Sequence, residues 1–237
     1  MTAPATGPRF LTNAPQIKKI RVGEIEQISI LAYGIDALSF TATMKAYLSD
    51  NSTDTSTTSA IPFIKNRMTA RFIAPNIVSA KSVTAFDVFI GYTTFQSETR
   101  RYIIDRSMKG ITIRVAWLNL LGGIDHYTFT GIKRGNMSVT RSIFTKERPY
   151  PFFQTDKSLA VMQTDSTIEY ELVSDFETEA VYLWLSEILS SPEVWLVESG
   201  TYIPIVVTAK DMQLNSEDLI QLSLTYIKSN QRLTQNG

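Results

Sequence analysis

The sequence predicts a mainly β protein with a single amphipathic helix, and three observations carry that expectation. Apolar and polar residues alternate over one stretch after another, as at Leu38, Phe40, Ala42, Met44, Ala46 and Leu48, the two-residue period of strands with one buried face. One segment follows the helical period instead: Val181, Trp184, Leu185, Ile188 and Leu189 fall at i, i+3, i+4, i+7 and i+8. Midway, Ile111 to Gly131 (ITIRVAWLNLLGGIDHYTFTG) reads as a strand, a turn at Gly122-Gly123 and a returning strand, since glycine accepts backbone angles that a Cβ resists.

Composition sets the outer limits. With 237 residues, 43% hydrophobic and 19% charged, the chain has material for one large or two ordinary globular domains. Lys+Arg and Asp+Glu balance at 23 each, which removes the global electrostatic case for nucleic acid or an anionic membrane. The local basic clusters, Lys18-Lys19 with Arg21, Arg100-Arg101 and Lys133-Arg134, read as solvated surface. Cysteine is absent, so disulfide and thiolate chemistry are excluded. The first residues carry no apolar signal core, and no apolar run nears the ~20 residues of a membrane helix. Synthesis in a cytoplasm, without a membrane segment, is the expectation.

In chain order, residues 1–16 hold Pro4, Pro8 and Pro15 and read as a flexible N-terminal arm. The first unit is expected over 17–132. Its strands are Glu24 to Ala32, Leu38 to Leu48, Arg67 to Ala74, Val83 to Tyr92, Glu98 to Asp105, Ile111 to Leu118 and Asp125 to Gly131. Residues 50–59, DNSTDTSTTS, hold no aliphatic or aromatic side chain and read as a mobile loop. Seven short alternating strands between turn signals predict an immunoglobulin-like β-sandwich, with Trp117 as a core aromatic lacking the usual disulfide; a small barrel is the competing architecture.

The second unit is expected over 137–237, after a boundary at Lys133 to Asn136. Ser138 to Phe144, Leu159 to Gln163 and Thr167 to Val173 read as strands around ERPYPFF, whose prolines demand extended or turning backbone. The helix is expected over 178–190, capped by Thr178 or Asp175 and stopped at Ser190-Ser191-Pro192. Leu183 falls on its polar face with Glu179, Ser186 and Glu187. Glu193 to Glu198, a Ser199-Gly200 turn, Tyr202 to Thr208 and a closing strand Asp218 to Lys228 complete an α+β unit.

Chemical signatures are missing. The single histidine, His126, rules out histidine clusters for a metal. Beside Asp125 on the polar face of its strand, it reads as a surface or hydrogen-bonded residue. There is no GxSxG, HExxH, P-loop or GxGxxG. Glu169 and Glu171 share a strand face, as a glycosidase pair might be arranged, but read as solvated. Asp50 and Asp54 lack the glycine and distal glutamate of a calcium loop, Asn51-Ser-Thr53 reads as a chance glycosylation match, and Asp105-Arg106 reads as a turn or surface ion pair. No catalytic, cofactor-binding or metal residue is assigned, and the chain is not expected to be an enzyme.

SETRRYIIDR (Ser97 to Arg106) followed by WLNLLGGIDHYTFTG (Trp117 to Gly131) resembles a pattern in virion proteins of tailed phages infecting Bacteroidetes, the crAss-like phages included. The residues that carry it are Tyr102 and Asp105, then Asn119, Gly122, Gly123 and Asp125, then Tyr127 to Gly131. The second unit is similar in its order of elements to tail-tube and distal-tail proteins. The resemblance implies a structural component of the virion tail or neck. It implies a homo-oligomeric ring, six- or twelve-fold, around the genome and protein ejection channel, next to other tail or neck proteins and with at most non-specific DNA contact. The alternative is a carbohydrate- or receptor-binding β-sandwich module with an aromatic platform drawn from Tyr33, Tyr92 or Trp195. A third reading, a cell-wall hydrolase, would depend on Glu169 and Glu171.

Overall fold

The structure, a computed structural model, describes residues 7–33, 39–62, 68–73, 82–92, 95–107, 110–131, 134–147, 150–151, 153–155, 157–208, 220–230 and 233–236. In chain order the strands begin with β1 (Gly7–Phe10), β2 (Ile17–Arg21), β3 (Glu26–Tyr33), β4 (Ser39–Leu48), β5 (Thr53–Pro62) and β6 (Met68–Ile73). Then come β7 (Val83–Tyr92), β8 (Phe95–Gln96), β9 (Arg100–Asp105), β10 (Ile113–Leu118), β11 (Ile124–Phe129), β12 (Arg134–Thr145) and β13 (Leu159–Val173). Helices α1 (Glu179–Leu185) and α2 (Glu187–Ser190) precede β14 (Val194–Glu198), β15 (Thr201–Val207), β16 (Ser223–Lys228) and β17 (Leu233–Asn236). The fold is mainly β.

Three sheets result: β1-β3-β6; β2-β9-β7-β4-β5 with β8 on β7; and β11-β10-β14-β15-β16-β13-β12 with β17 on β13. The first two enclose one core, in which Ile20, Ile28, Ile30, Phe40, Phe86, Val88 and Ile90 are buried. In β7 the in-phase residues Phe86, Val88 and Ile90 are buried as alternation requires, and Phe86 stacks on Tyr102 with centroids 5.0 Å apart. The third sheet has a second core on the face covered by α1 and α2. Val115, Trp117, Phe129, Leu172, Leu196, Leu224 and Tyr226 come from the sheet, and Tyr182, Trp184, Leu185 and Ile188 from the helices.

Several expectations need correction. Residues 7–16 are not a free arm: β1 pairs with β3 from Gly7↔Tyr33 to Phe10↔Ile30, and the Leu11 N–H donates to the Ser29 carbonyl at 2.8 Å. Ladder bonds fix this segment despite its few apolar side chains. Residues 53–59 are likewise strand, not loop, because β5 pairs along β4 from Thr53↔Tyr47 to Pro62↔Ser39. An edge strand needs backbone partners more than apolar side chains, and threonine suits extended backbone.

Strand pairing also crosses the boundary expected between 132 and 137. The β10–β11 hairpin belongs to the third sheet through Trp117↔Val194 and Val115↔Leu196, so Trp117 fills the second core. Arg134 to Asn136, read as a linker, opens β12, and the two strands expected over 159–173 are one, β13. The helix expected over 178–190 breaks at Ser186, whose Oγ donates to the Leu183 carbonyl at 2.6 Å. It ends at Ser190, as expected, but Thr178 makes no side-chain cap. The expected start of the last strand lies partly outside the described residues, which resume at 220.

Candidate functional site

The Asn119-x-x-Gly-Gly-x-Asp turn is a clasp. Asn119 Oδ1 accepts the N–H groups of Leu121 at 3.0 Å and Gly123 at 2.8 Å, while its Nδ2 donates to the Leu11 carbonyl at 2.7 Å. Gly122 sits at φ +82°, where glycine carries no Cβ penalty. Gly123 is required for another reason: a Cβ there would lie 2.1 Å from the Leu11 carbonyl oxygen. Two residues on, the buried Asp125 carboxylate accepts Thr12 Oγ1 at 2.9 Å and the Trp184 indole N–H at 2.8 Å. The motif therefore fastens the N-terminal segment, the β10–β11 turn and the helix together. Burial raises the Asp125 carboxyl above its ordinary value.

The opposite face of β10 and β11 meets the first core's sheets through charges. Arg114 donates to Glu24 and Glu26 at 2.9 Å each and to the Ile25 carbonyl at 3.0 Å. Lys18 donates to Glu26 and to the His126 carbonyl, both at 2.6 Å. Thr128 Oγ1 donates to Glu24 at 2.6 Å. Glu26 is only 3% exposed; burial raises its carboxyl, yet Lys18 and Arg114 outweigh that and hold it below the ordinary value. Lys18, read as solvated surface, is thus a half-buried partner.

His126, read as a surface or hydrogen-bonded residue, is buried and hydrogen-bonded. Its Nε2 meets the Tyr202 hydroxyl at 2.9 Å, and that hydroxyl lies 3.1 Å from Gln27 Oε1. Nδ1 has no hydrogen-bond partner among the described residues. Burial pushes the imidazole down to about 3, with Glu26 opposing, so the ring is neutral at physiological pH. What surrounds it is a joint: paired charges and hydroxyls closing two sheets onto each other. The spaces there are small: a void of about 10 Å3 between Thr12, Lys18, Glu26, Arg100, Tyr102 and Asp125, and one of about 30 Å3 beside Ile20, Glu24, Thr128 and Glu177, room for single waters.

The other candidates are dispersed. Glu169 accepts the Thr208 hydroxyl and Glu171 accepts Ser223 Oγ at 2.9 Å, so each serves a neighbouring strand. Asp50 caps the turn by accepting the Ser52 N–H at 3.1 Å, while Asp54 lies in β5 opposite Ala46. Asp105 accepts the Ser107 N–H at 2.9 Å in a turn, and Arg101 grips Asp87 with two bonds of 2.7 Å. Trp195 is half-buried edge-on to Tyr202; the side chains of Tyr33 and Tyr92, and Lys133, lie outside the described residues. Leu183 is exposed as expected, but Glu187 is buried and accepts Asn13 Nδ2 at 2.8 Å. Among the described residues no three His, Cys, Asp or Glu side chains group to hold a metal ion, and no helix is long and apolar enough to cross a membrane.

The feature the sequence did not single out is an arm. Beyond the helices, β12 and β13 run on as a hairpin from Arg134↔Glu171 to Thr145↔Leu159, with a bulge between Ser142 and Ile143. Every residue of β12 is exposed. One face is polar: Asn136, Ser138, Thr140 and Ser142 opposite Glu169, Thr167, Asp165 and Gln163. The other bears Met137, Val139 and Ile143 opposite Ile168, Ser166 and Val161, with one charged interruption, Arg141 opposite Thr164. This second face continues that of Tyr170 and Leu172, which belong to the helix-covered core, so the core's apolar stripe runs out uncovered; Ile143 is 60% exposed. The sheet's other edge, β11, is closed by Lys18 on the His126 carbonyl and by the Ile124 N–H donating to Ser29 Oγ at 3.1 Å. No protein-family model, no curated protein and no solved structure matches this chain.

Proposed function

We propose that this chain is a structural, non-enzymatic subunit of a bacteriophage virion, a tail or neck component that oligomerises as a six- or twelve-fold ring around the ejection channel. The uncovered arm carries this reading. A long edge strand with an exposed apolar face is an aggregation hazard in an isolated chain and is tolerated where another subunit covers it. The rest of the molecule supports a building block: its buried polar groups join segments to one another.

The finer fold belongs to the same proposal. We read the first two sheets, β1-β3-β6 and β2-β9-β7-β4-β5 with β2 parallel to β9, as the two halves of an immunoglobulin-like sandwich. We read the third sheet, with its two short helices, the β14–β15 hairpin and β16, as like a tail-tube or distal-tail domain. The test is the mass of the purified chain in solution, by light scattering across concentration, alone and with the other virion tail and neck proteins. Discrete multiples of 26.6 kDa that close at one stoichiometry are expected. A chain that stays monomeric throughout overturns the reading.

A further inference from the structure

The arm has two open edges. Besides β12 on one side of β13, β17 pairs with the other side, from Gln163↔Asn236 to Ser166↔Leu233. At that level the arm is three strands wide, because Gln163 to Ser166 also face Ser142 to Val139 of β12. Both flanking strands are antiparallel to β13, so β12 and β17 run parallel to each other, toward the tip. Among the described residues neither pairs with any strand but β13. Thus one arm offers, at one height and in one direction, a left edge and a right edge.

We propose that β12 of one copy adds in parallel to β17 of the next copy, joining copies head to tail through their arms. The reading rests on the ring assembly proposed above and specifies its contact. A second copy can approach by rotation alone, without being turned over, so polar faces stay on one side of the joined sheet and apolar faces on the other. Such a heterologous contact uses both edges of every copy and ends only when the ring closes. A two-fold pairing of β12 with β12 would leave every β17 edge open. Three strands per copy make a wide barrel, and closed barrels of roughly 16–18 strands already leave an aqueous channel.

The absence of cysteine makes the contact directly testable. Thr140 and Thr234 both stand level with Asp165, one on each side of β13. Strands are ~4.8 Å apart, so within one copy the two positions are separated by about twice that, too far for a disulfide. Full-length chains carrying Thr140→Cys, Thr234→Cys or both would be oxidised with copper phenanthroline and run on a non-reducing gel. A panel placing the second cysteine at each of 233 to 236 covers a shift of register, and unfolding curves matching the parent's show that each variant folds. The expected result is a ladder of dimer, trimer and larger species that requires both cysteines. Dimers from Thr140→Cys alone, with no ladder, overturn the proposal in favour of a two-fold contact. A parent chain that oligomerises while no double variant cross-links overturns it and leaves the ring standing; a parent that stays monomeric overturns both.

Discussion

The indole N–H of Trp184 donates to Asp125 Oδ2 at 2.8 Å inside the second core. Trp184 comes from α1 and Asp125 from β11, and the same oxygen accepts Thr12 Oγ1 from the N-terminal segment. One buried carboxylate thus joins three parts of the chain distant in sequence. Asp125→Ala leaves the buried Trp184 donor unpaired, at about 1–3 kcal/mol, and takes an acceptor from the half-buried Thr12, so urea unfolding is expected to show a loss of at least that order. Burial raises the Asp125 carboxyl. Its favourable contribution is therefore full below the unfolded carboxylate pKa and is lost as pH rises through the folded one. Asp125→Asn, which keeps an acceptor, is expected to lose less than Asp125→Ala at neutral pH, and its deficit should grow as the solution is acidified.

His126 sets the opposite pH dependence. Its imidazole is pushed down to about 3 from 6.5, so below pH 6.5 the unfolded chain binds a proton that the folded chain refuses. Stability contributed by the neutral ring is complete above the unfolded pKa and falls with pH across the window from 6.5 toward 3. The slope for one proton approaches about 1.4 kcal/mol per pH unit. His126→Gln, which can still meet Tyr202, is expected to flatten the stability curve between pH 7 and pH 5. A variant whose curve keeps the parent's slope would show that another group titrates there.

Much of this was legible in the sequence. Strand β7 lies at the residues its alternation marked, and the helical stripe ends at Ser190 as its stop signal required. The misses share a physical cause. Glu26 stands in phase with Ile28 and Ile30, and Asp125 in phase with Tyr127 and Phe129, so each is carried inside by its strand. Period-2 reasoning marks such a charge as buried but does not name its partner, because Arg114 and Trp184 arrive from distant chain. Strands β1 and β5 were missed because backbone ladders hold them, and the arm because alternation reports two faces without saying whether anything covers them.

Gly123→Ala tests the clasp. Its Cβ would sit 2.1 Å from the Leu11 carbonyl oxygen and 3.0 Å from Ser29 Cβ, so the N-terminal segment must move or the turn must open. Overpacking of this kind costs about 1–3 kcal/mol or more. Limited proteolysis is expected to cut between residues 7 and 16 far faster than in the parent, before global unfolding. Equal cleavage rates would mean that the segment is not held by this turn.

Arg114→Met tests the charged joint. It leaves the enclosed Glu26 with Lys18 alone, and breaking a buried ion network costs roughly 3–5 kcal/mol. Adding Glu26→Met is expected to recover part of the loss, since the uncompensated charge goes with it. A double variant as unstable as the sum of the singles would place the cost in packing instead of charge.

Val139→Lys combined with Ile143→Lys separates folding from assembly. Both side chains are exposed on the arm's apolar face, and neither belongs to either buried core, so thermal unfolding should stay within about 0.5 kcal/mol of the parent, as for ordinary surface changes. In the proposed ring those positions of successive copies stand on one face of the joined sheet together with Arg141, and the added lysines gather further like charge there. The expected outcome is a folded monomer by light scattering under conditions in which the parent assembles. Unchanged assembly would mean that the apolar face stays in solvent and does not carry the assembly reading, leaving the edge contact of β12 with β17 to the cross-linking test.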